Sequence, residues 1–405
     1  MIAADDPIAA APHRIEPAGA DALAVALKDA SDRRLRTVVR GGGTKMGWGR
    51  TPERVDAVIG TRRLDAIVAH RHGDLTGTFQ AGARLRDVNA ALGAHRQWLP
   101  IDSAFADATI GGIIATNDAG PLRHRYGTAR DLIIGVTLAL TDGRIVKAGG
   151  HVVKNVAGYD LGRLMSGSFG TLAVIVDATF KLSPLWPASR TVVAEFADSA
   201  ALAAAVQAMR GSQIEAVACD VDVRLDGNAP VYRLLIRVAT GPAATAAQAQ
   251  AARGLLESSA GQAQMAIAEL EGQEETTLWR SQIEHVWEGE GVVARAAWRP
   301  AALKDAIDVF ARAAASEGIA LHIRARAGVG AGIVRIDGDD AAALRVVEAL
   351  RGSAIVGNVA VLRASLAFKQ RIDVWPPAGD SAAVARAVKQ SLDPAGILNA
   401  GRGPL

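Results

Sequence analysis

Glycines flanked by hydroxyl, amide and ammonium side chains recur four times in this sequence, and these clusters are the places where it can do chemistry. The first is Arg40-Gly41-Gly42-Gly43-Thr44-Lys45. Three successive glycines after a strand let backbone N–H groups converge on an anion with no Cβ in the way. Lys45 can add charge there, and Thr44 a hydroxyl donor. The spacing is not a Walker loop, because Lys45 is followed by Met46 and not by Ser or Thr, and it is not GxGxxG. The second cluster, Ala108-Thr109-Ile110-Gly111-Gly112-Ile113-Ile114-Ala115-Thr116, sets a threonine before paired glycines and reads as a loop anchored by the apolar residues behind it. The third is Lys154-Asn155-Val156-Ala157-Gly158-Tyr159-Asp160-Leu161, and the fourth is Gly167-Ser168-Phe169-Gly170-Thr171-Leu172, which runs into a strand. Turns alone do not call for Lys, Thr, Ser and Asn beside the glycines each time. Convergence on one large, phosphate-bearing cofactor accounts for all four. A valine at Gly42 or Gly111 should then block the phosphate while leaving the chain folded.

The remaining chemistry-bearing residues carry weaker signals. His322, on a predicted strand, is the one candidate catalytic base or metal ligand; the alternative is a hydrogen-bonded strand residue. His124 lies between Arg123 and Arg125 on an expected surface turn, where the arginines are the better candidates for neutralising phosphate. His70, His72 and His95 show no ligand spacing and are assigned no role, and no metal site is expected. Lys154 and Asp160 can pair around their loop or act beside the cofactor. Trp279, Trp287 and Trp298 read as packing anchors. Cys219 is the only cysteine, so this chain builds no internal disulfide and no Fe–S cluster by itself.

The elements that must hold these residues follow from length and periodicity. With 405 residues, half of them hydrophobic, the chain can form two or three domains with real cores, and disorder is excluded. The 45 basic and 42 acidic side chains leave a net charge of +3 with no Lys/Arg block, so a nucleic-acid surface is not expected. The acidic, proline-broken start is unlike a secretory signal, and the longest apolar run, Leu132–Leu140, is too short to span a bilayer. A helix over 21–30 feeds the strand 37–39. Strands over 57–59, 66–68 and 76–80 precede a helix over 84–92, with Asp87 and Asn89 on its wet side. A hairpin turns at Thr141-Asp142-Gly143. After Pro187 two runs each read β-α-β-β-α-β, the split order of ferredoxin-like modules: the first spans 191–270, and the second, 292–368, ends in a strand over 359–368. The expected domains are 1–186, 187–373 (an internal duplication on this pattern) and a segment, 374–405, that returns to the first.

The order RGGGTK, ATIGG, KNVAGYDL, GSFGTL resembles the FAD-binding domain of the vanillyl-alcohol oxidase/p-cresol methylhydroxylase family. More narrowly, VVKNVAGYDLGRLMSGSFGTLAVI and the terminal LDPAGILNAGR are similar to the FAD-binding subunits of bacterial glycolate oxidases. The similarity covers most of Arg40–Pro184 and the tail. The resemblance implies an α+β protein with a two-subdomain FAD-binding fold and a ferredoxin-like second domain. It implies that Arg40 and Gly41 to Lys45 form one pyrophosphate loop, and that Ala108, Thr109, Ile110, Gly111 and Gly112 form the other. It places Gly158, Tyr159, Gly170 and Thr171 along the flavin or adenosine, with the Ile175 backbone near the adenine. No His or Cys falls inside the phosphate loops, so noncovalent FAD is expected. Related catalytic subunits carry paired histidines in the second domain; here His322 is followed only by Arg324, Arg326 and Gly328, which argues against a metal-assisted site. The implied function is that of an FAD-binding subunit in a glycolate (2-hydroxyacid) oxidase or dehydrogenase complex. Its implied partners are a sister FAD-containing catalytic subunit and an Fe–S subunit. The expected location is cytoplasmic, or peripheral to the inner face of the membrane through those partners. Two alternatives stay open: a non-catalytic FAD-binding assembly scaffold, and a stand-alone D-2-hydroxyacid dehydrogenase of the D-lactate type.

Overall fold

The computed structural model describes residues 7–150, 158–227, 229–260 and 264–404. Its contacts divide the chain into two units, the first drawn from Met1–Ala119, Gly127–Leu185 and Pro377–Leu405, the second from Gly120–Tyr126 and Trp186–Pro376. The architecture is α+β.

In the first unit, strands β1 (His13–Ile15), β2 (Thr37–Arg40) and β3 (Ala57–Gly60) form a parallel sheet in the order β1-β3-β2. The helix Ala20–Asp32 covers it with Leu23 and Leu27, both fully buried, in one core with Ile59 and Leu398. A second, antiparallel sheet comprises β4 (Ile67–Arg71), β5 (Thr76–Gln80), β7 (Ile133–Ala139), β8 (Ile145–Gly149) and β9 (Val174–Lys181), in the order β4-β5-β9-β7-β8. Short strands β6 (Gln97–Trp98) and β10 (Ser183–Pro184) pair beside it. Phe79 and Phe180 fill the core between this sheet and the helices Leu85–Gly93 and Ile110–Thr116. Asn89 is not on the wet side of its helix: its side chain clips the Leu99 backbone in both directions, donating to the carbonyl at 3.2 Å and accepting from the N–H at 2.8 Å.

The second unit is built on one eight-stranded antiparallel sheet. Its strands are β11 (Ala188–Phe196), β12 (Ala216–Leu225), β13 (Val231–Thr240), β14 (Gln264–Leu270), β15 (Val292–Ala297), β16 (Ala320–Arg326), β17 (Ala331–Asp337) and β18 (Ala360–Arg363). The order β14-β11-β13-β12-β16-β17-β15-β18 places each β-α-β-β-α-β run in its own half, one half the mirror order of the other, joined at β12 and β16. The expected strand over 359–368 is shorter than the periodicity predicts. It stops at Arg363, and Ser365 caps a helix, Leu366–Arg371, by accepting from Phe368 N–H at 3.0 Å. The helix Gly272–Glu284, unread in the sequence because its apolar residues are few, packs Trp279 against Ala218 and Leu235.

Among the described residues no helix is long and apolar enough to cross a membrane.

Candidate functional site

The site begins where β2 ends. After Arg40 the chain bends through Gly41 to Lys45, and Gly43 adopts φ +79°, a left-handed conformation in which a Cβ would also meet the Arg40 guanidinium at 2.8 Å. Arg62 holds the turn from outside, donating to the Gly41 carbonyl at 3.3 Å and the Gly42 carbonyl at 3.0 Å. Among the described residues, none of the N–H groups of Gly41, Gly42, Gly43, Thr44 and Lys45 donates to a protein acceptor. A run of unpaired N–H groups held by outward-tied carbonyls is an anion-binding concavity.

The second glycine cluster is not a loop. Thr109 caps the helix Ile110–Thr116, its hydroxyl oxygen 3.4 Å from Gly112 N, and both glycines sit in the first turn. Two of the N–H groups expected to face phosphate are already engaged: Ile110 donates to Ala83 O at 2.9 Å and Gly111 to Ala81 O at 2.8 Å. The turn Gly167–Gly170 is strapped to this helix by Gly167 N–H to Ile114 O and Phe169 N–H to Ala115 O, at 2.9 and 2.8 Å. Phe169 and Gly170 both have positive φ.

The C-terminal segment closes the arrangement. Asn399 donates to Phe169 O at 2.8 Å and Gly170 O at 3.1 Å, accepts from Val39 N–H at 3.3 Å, and its own N–H reaches Thr37 O. Arg402 donates to the carbonyls of Met46 and Trp48. Asp393 accepts from the N–H groups of Ile397 and Leu398, and Lys389 bridges Asp393 to Thr171 O.

These segments line a cavity with roughly 730 Å³ of space, part of it open to solvent. Of the residues singled out in the sequence, Gly41, Gly42, Gly43, Thr44, Lys45, Thr109, Gly111, Gly112, Gly170 and Ile175 line it. Arg40 stands behind the wall, with its guanidinium against Gly43. Ala108 and Ile110 point into the core, each 1% exposed. Thr171 bonds back to Ser168 O at 2.7 Å. Neither Gly158 nor Tyr159 is among the lining residues, and Tyr159 is 91% exposed. Lys154 to Ala157 lie outside the described residues. Sequence reasoning did not single out Thr61, Ala81, Asn399 and Arg402, which also line the cavity; the last two belong to the terminal LDPAGILNAGR.

Lys45 is not a free charge for a ligand. Its ammonium is buried 2.9 Å from Asp118 Oδ2 and lies 5.1 Å from the Phe105 ring centre. The expectation for valine at Gly42 and Gly111 also changes. A Cβ at Gly42 would stand 2.0 Å from Asp107 O, and one at Gly111 2.8 Å from the Ala81 Cβ, so both substitutions strain the fold itself.

Elsewhere, tertiary structure gathers residues that sequence left scattered. His70, His72 and His95 come together in the first unit, their rings 4.6 to 6.1 Å apart between centres. Asp160 caps its helix and pairs with Arg163. In the second unit Arg125 pairs with Glu215 at 3.1 Å. His322 is a buried strand residue whose Nε2 lies 2.6 Å from Asp222 Oδ1. Burial lowers its pKa against the opposing pull of Asp222. Burial would raise the Asp222 pKa, but the His322 hydrogen bond and the Arg324 charge outweigh it and hold the carboxylate ionised. Cys219 is buried, its thiol pushed up to about 12 by burial and then by Asp220, and is therefore inert.

Residues 11–149 match the family described as FAD binding domain. The chain is 34% identical to a D-lactate dehydrogenase of Archaeoglobus fulgidus over 42% of its length and 38% of the relative's. It is 33% identical to glycolate oxidase subunit GlcD of Bacillus subtilis (49% and 43%), and 36% identical to glycolate oxidase subunit GlcE of Escherichia coli (36% and 42%). Each match thus spans less than half of the relative's own length. Among solved structures, an alkyldihydroxyacetonephosphate synthase superposes with a TM-score of 0.70 at 17% identity, covering 95% of this chain and 75% of that one. A chitooligosaccharide oxidase superposes with a TM-score of 0.66 at 14% identity, covering 97% and 91%. Both show a shared fold.

Proposed function

We propose that this chain, which carries an FAD-binding domain over residues 11–149, is the FAD-holding subunit of a 2-hydroxyacid oxidation system, with glycolate to glyoxylate as its reaction. The observation that carries the reading is the row of N–H groups from Gly41 to Lys45, unpaired among the described residues and set in a glycine-walled cavity. A pyrophosphate is a ligand suited to such a row, and the row shares its cavity with Ile175 and Arg402. Bound there, FAD supplies a two-electron acceptor for oxidation at the hydroxyl-bearing carbon. The chain's part is to hold the phosphates with Gly41 to Lys45 and to fix the opposite wall through Asn399 and the Phe169–Gly170 turn. Likeness to glycolate oxidase subunits, D-lactate dehydrogenases and a D-2-hydroxyglutarate dehydrogenase supports 2-hydroxyacids as the substrate class. The two electrons pass to a partner, in this reading a sister flavin subunit and an Fe–S subunit, in the cytoplasm or at the membrane face.

Two measurements test this. Acid or heat denaturation of the purified protein should release one equivalent of free FAD. Colourless protein after reconstitution with excess FAD, or flavin that stays with the precipitate, defeats the noncovalent assignment. Anaerobic addition of glycolate or D-lactate should bleach the flavin slowly in the isolated chain and faster with its partner subunits. Bleaching by neither acid under either condition would leave an assembly scaffold.

A further inference from the structure

Three consecutive peptides at the first glycine turn are held from one side by two residues that follow β3. Thr61 donates its N–H to the Arg40 carbonyl at 2.9 Å. Arg62 donates from Nε to the Gly41 carbonyl at 3.3 Å and from Nη2 to the Gly42 carbonyl at 3.0 Å. A trans peptide carries its C=O and the next residue's N–H on opposite sides of one rigid plane. Oxygens drawn to Thr61 and Arg62 therefore turn the N–H groups of Gly41, Gly42 and Gly43 away from the clamp. All three glycines line the cavity, and their N–H groups have no acceptor among the described residues.

The clamp is fixed where the turn by itself is not. Three successive glycines set no orientation of their own. Thr61 and Arg62 sit in a turn closed by Leu64, whose N–H reaches the Thr61 carbonyl at 3.0 Å. At its far end the glycine turn is anchored by Lys45, paired with Asp118 at 2.9 Å. The Arg62 guanidinium shares a polar cleft with Gly42, Asp65, Asp87 and Asp107. Asp87 and Asp107 are taken by Arg84 and Arg86 at 2.7 to 3.5 Å. Among the described residues Arg62 makes no ion pair. Its planar fork goes to two successive carbonyls instead. Hydrogen bonds in a chain polarise one another, so a charged donor on each oxygen makes the N–H across that peptide a better donor.

We infer that Arg62 is a positioning residue, which presets the peptides of Gly41 to Gly43 for an anion without touching the anion itself. That the anion is the pyrophosphate of FAD rests on the reading above; the clamp does not. Ordering the row in advance removes part of the ordering cost of binding. Arg62 is exposed, and surface substitutions cost a fold little. Its loss is therefore a loss of affinity rather than of stability.

The test joins affinity to a signal from the clamped peptides. Glycine isotope-labelled at both carbonyl carbon and nitrogen gives a carbonyl–amide correlation by NMR only where glycine follows glycine. In this sequence those peptides are Gly41–Gly42, Gly42–Gly43, Gly111–Gly112 and Gly149–Gly150. In the flavin-free full chain, Arg62→Met should shift the first two signals and leave the last two in place. Its affinity for FAD, read from flavin fluorescence, should fall about tenfold or more at an unchanged unfolding midpoint. Arg62→Lys keeps the charge but cannot span two carbonyls, and should recover only part of that affinity. Equal FAD affinity in Arg62→Met, full affinity in Arg62→Lys, or weaker binding with all four signals unmoved would each overturn the proposal. Movement of all four signals with a lowered midpoint would make Arg62 a residue of the fold and overturn it too. Inorganic pyrophosphate, titrated in parallel, separates this proposal from the redox reading. A chain that binds pyrophosphate through an Arg62-dependent row but takes up no FAD keeps the clamp and loses the redox reading. FAD binding indifferent to Arg62 does the reverse.

Discussion

Gly112 separates what a glycine does for a ligand from what it does for the fold. Its hypothetical Cβ meets only the Thr109 hydroxyl, at 3.3 Å, and otherwise opens toward the cavity, whereas Gly42 and Gly111 are closed by protein atoms. Gly112→Ala should leave the unfolding midpoint unchanged or slightly raised, since alanine gains roughly 1 kcal/mol over glycine in a helix. It should weaken FAD binding about tenfold or more, read by fluorescence of released flavin; undiminished affinity would move the phosphates away from this wall. At His322 the pH dependence has a definite sign. Burial holds its imidazole below the ordinary value of 6.5, so as pH falls through that value the unfolded chain takes up a proton that the folded chain refuses. Stability is therefore lost below about 6.5. Asp222, also lowered, adds its loss only below 3.8. His322→Gln, which can still donate to Asp222, should flatten the fall in unfolding midpoint between about pH 7 and 5. Part of the slope should persist, because burial and Arg125 lower His124 in the same direction.

At the scale of elements, the C-terminal strap does what no single loop does. Asn399, at φ 44°, ties β2 to the Phe169–Gly170 turn, and Lys389 and Asp393 fix the strap to Thr171. Asn399→Ala would leave an N–H and two carbonyls unpaired and put alanine in a left-handed conformation. We expect a loss of roughly 2–4 kcal/mol in urea unfolding, from those unpaired groups and the backbone strain, together with reduced flavin retention. Asn399→Gly should recover the backbone part only. The glycine clusters make the same point in another way: the first is a bent turn with free N–H groups, whereas the second is a capped helix whose early N–H groups are engaged. They resemble each other in sequence and offer a ligand different things.

Across the whole molecule, ligand binding should be readable as protection of a few named segments. Adding FAD to the flavin-free chain stabilises the bound form by mass action, about 2.7 kcal/mol at a hundredfold excess over Kd. Amide hydrogen exchange should slow most at Gly41 to Lys45, whose N–H groups have no acceptor among the described residues, and at the Phe169–Gly170 turn. Little should change at Ile110 and Gly111, already bonded to Ala83 and Ala81. Protection gained only outside these segments would refute the assigned cavity.

Periodicity by itself determined most of the elements, because an element is a local property: alternation fixed Thr76–Gln80 and Ala320–Arg326 to the residue, and both β-α-β-β-α-β runs were legible. The glycine and hydroxyl pattern determined that a phosphate-bearing ligand was at stake, since those residue types have few other reasons to cluster. Only the tertiary structure decided which amides stay free, because that depends on acceptors such as Ala81 and Ala83 arriving from elsewhere in the chain. It alone showed that Lys45 is neutralised by Asp118 and that Asn399, some 360 positions from Val39, belongs to the same wall. The arginine-rich face of β12 and β16 was hidden for the same reason. Asp220 and Arg326 are 106 residues apart, and only sheet register, a nonlocal hydrogen-bonding choice, sets them face to face.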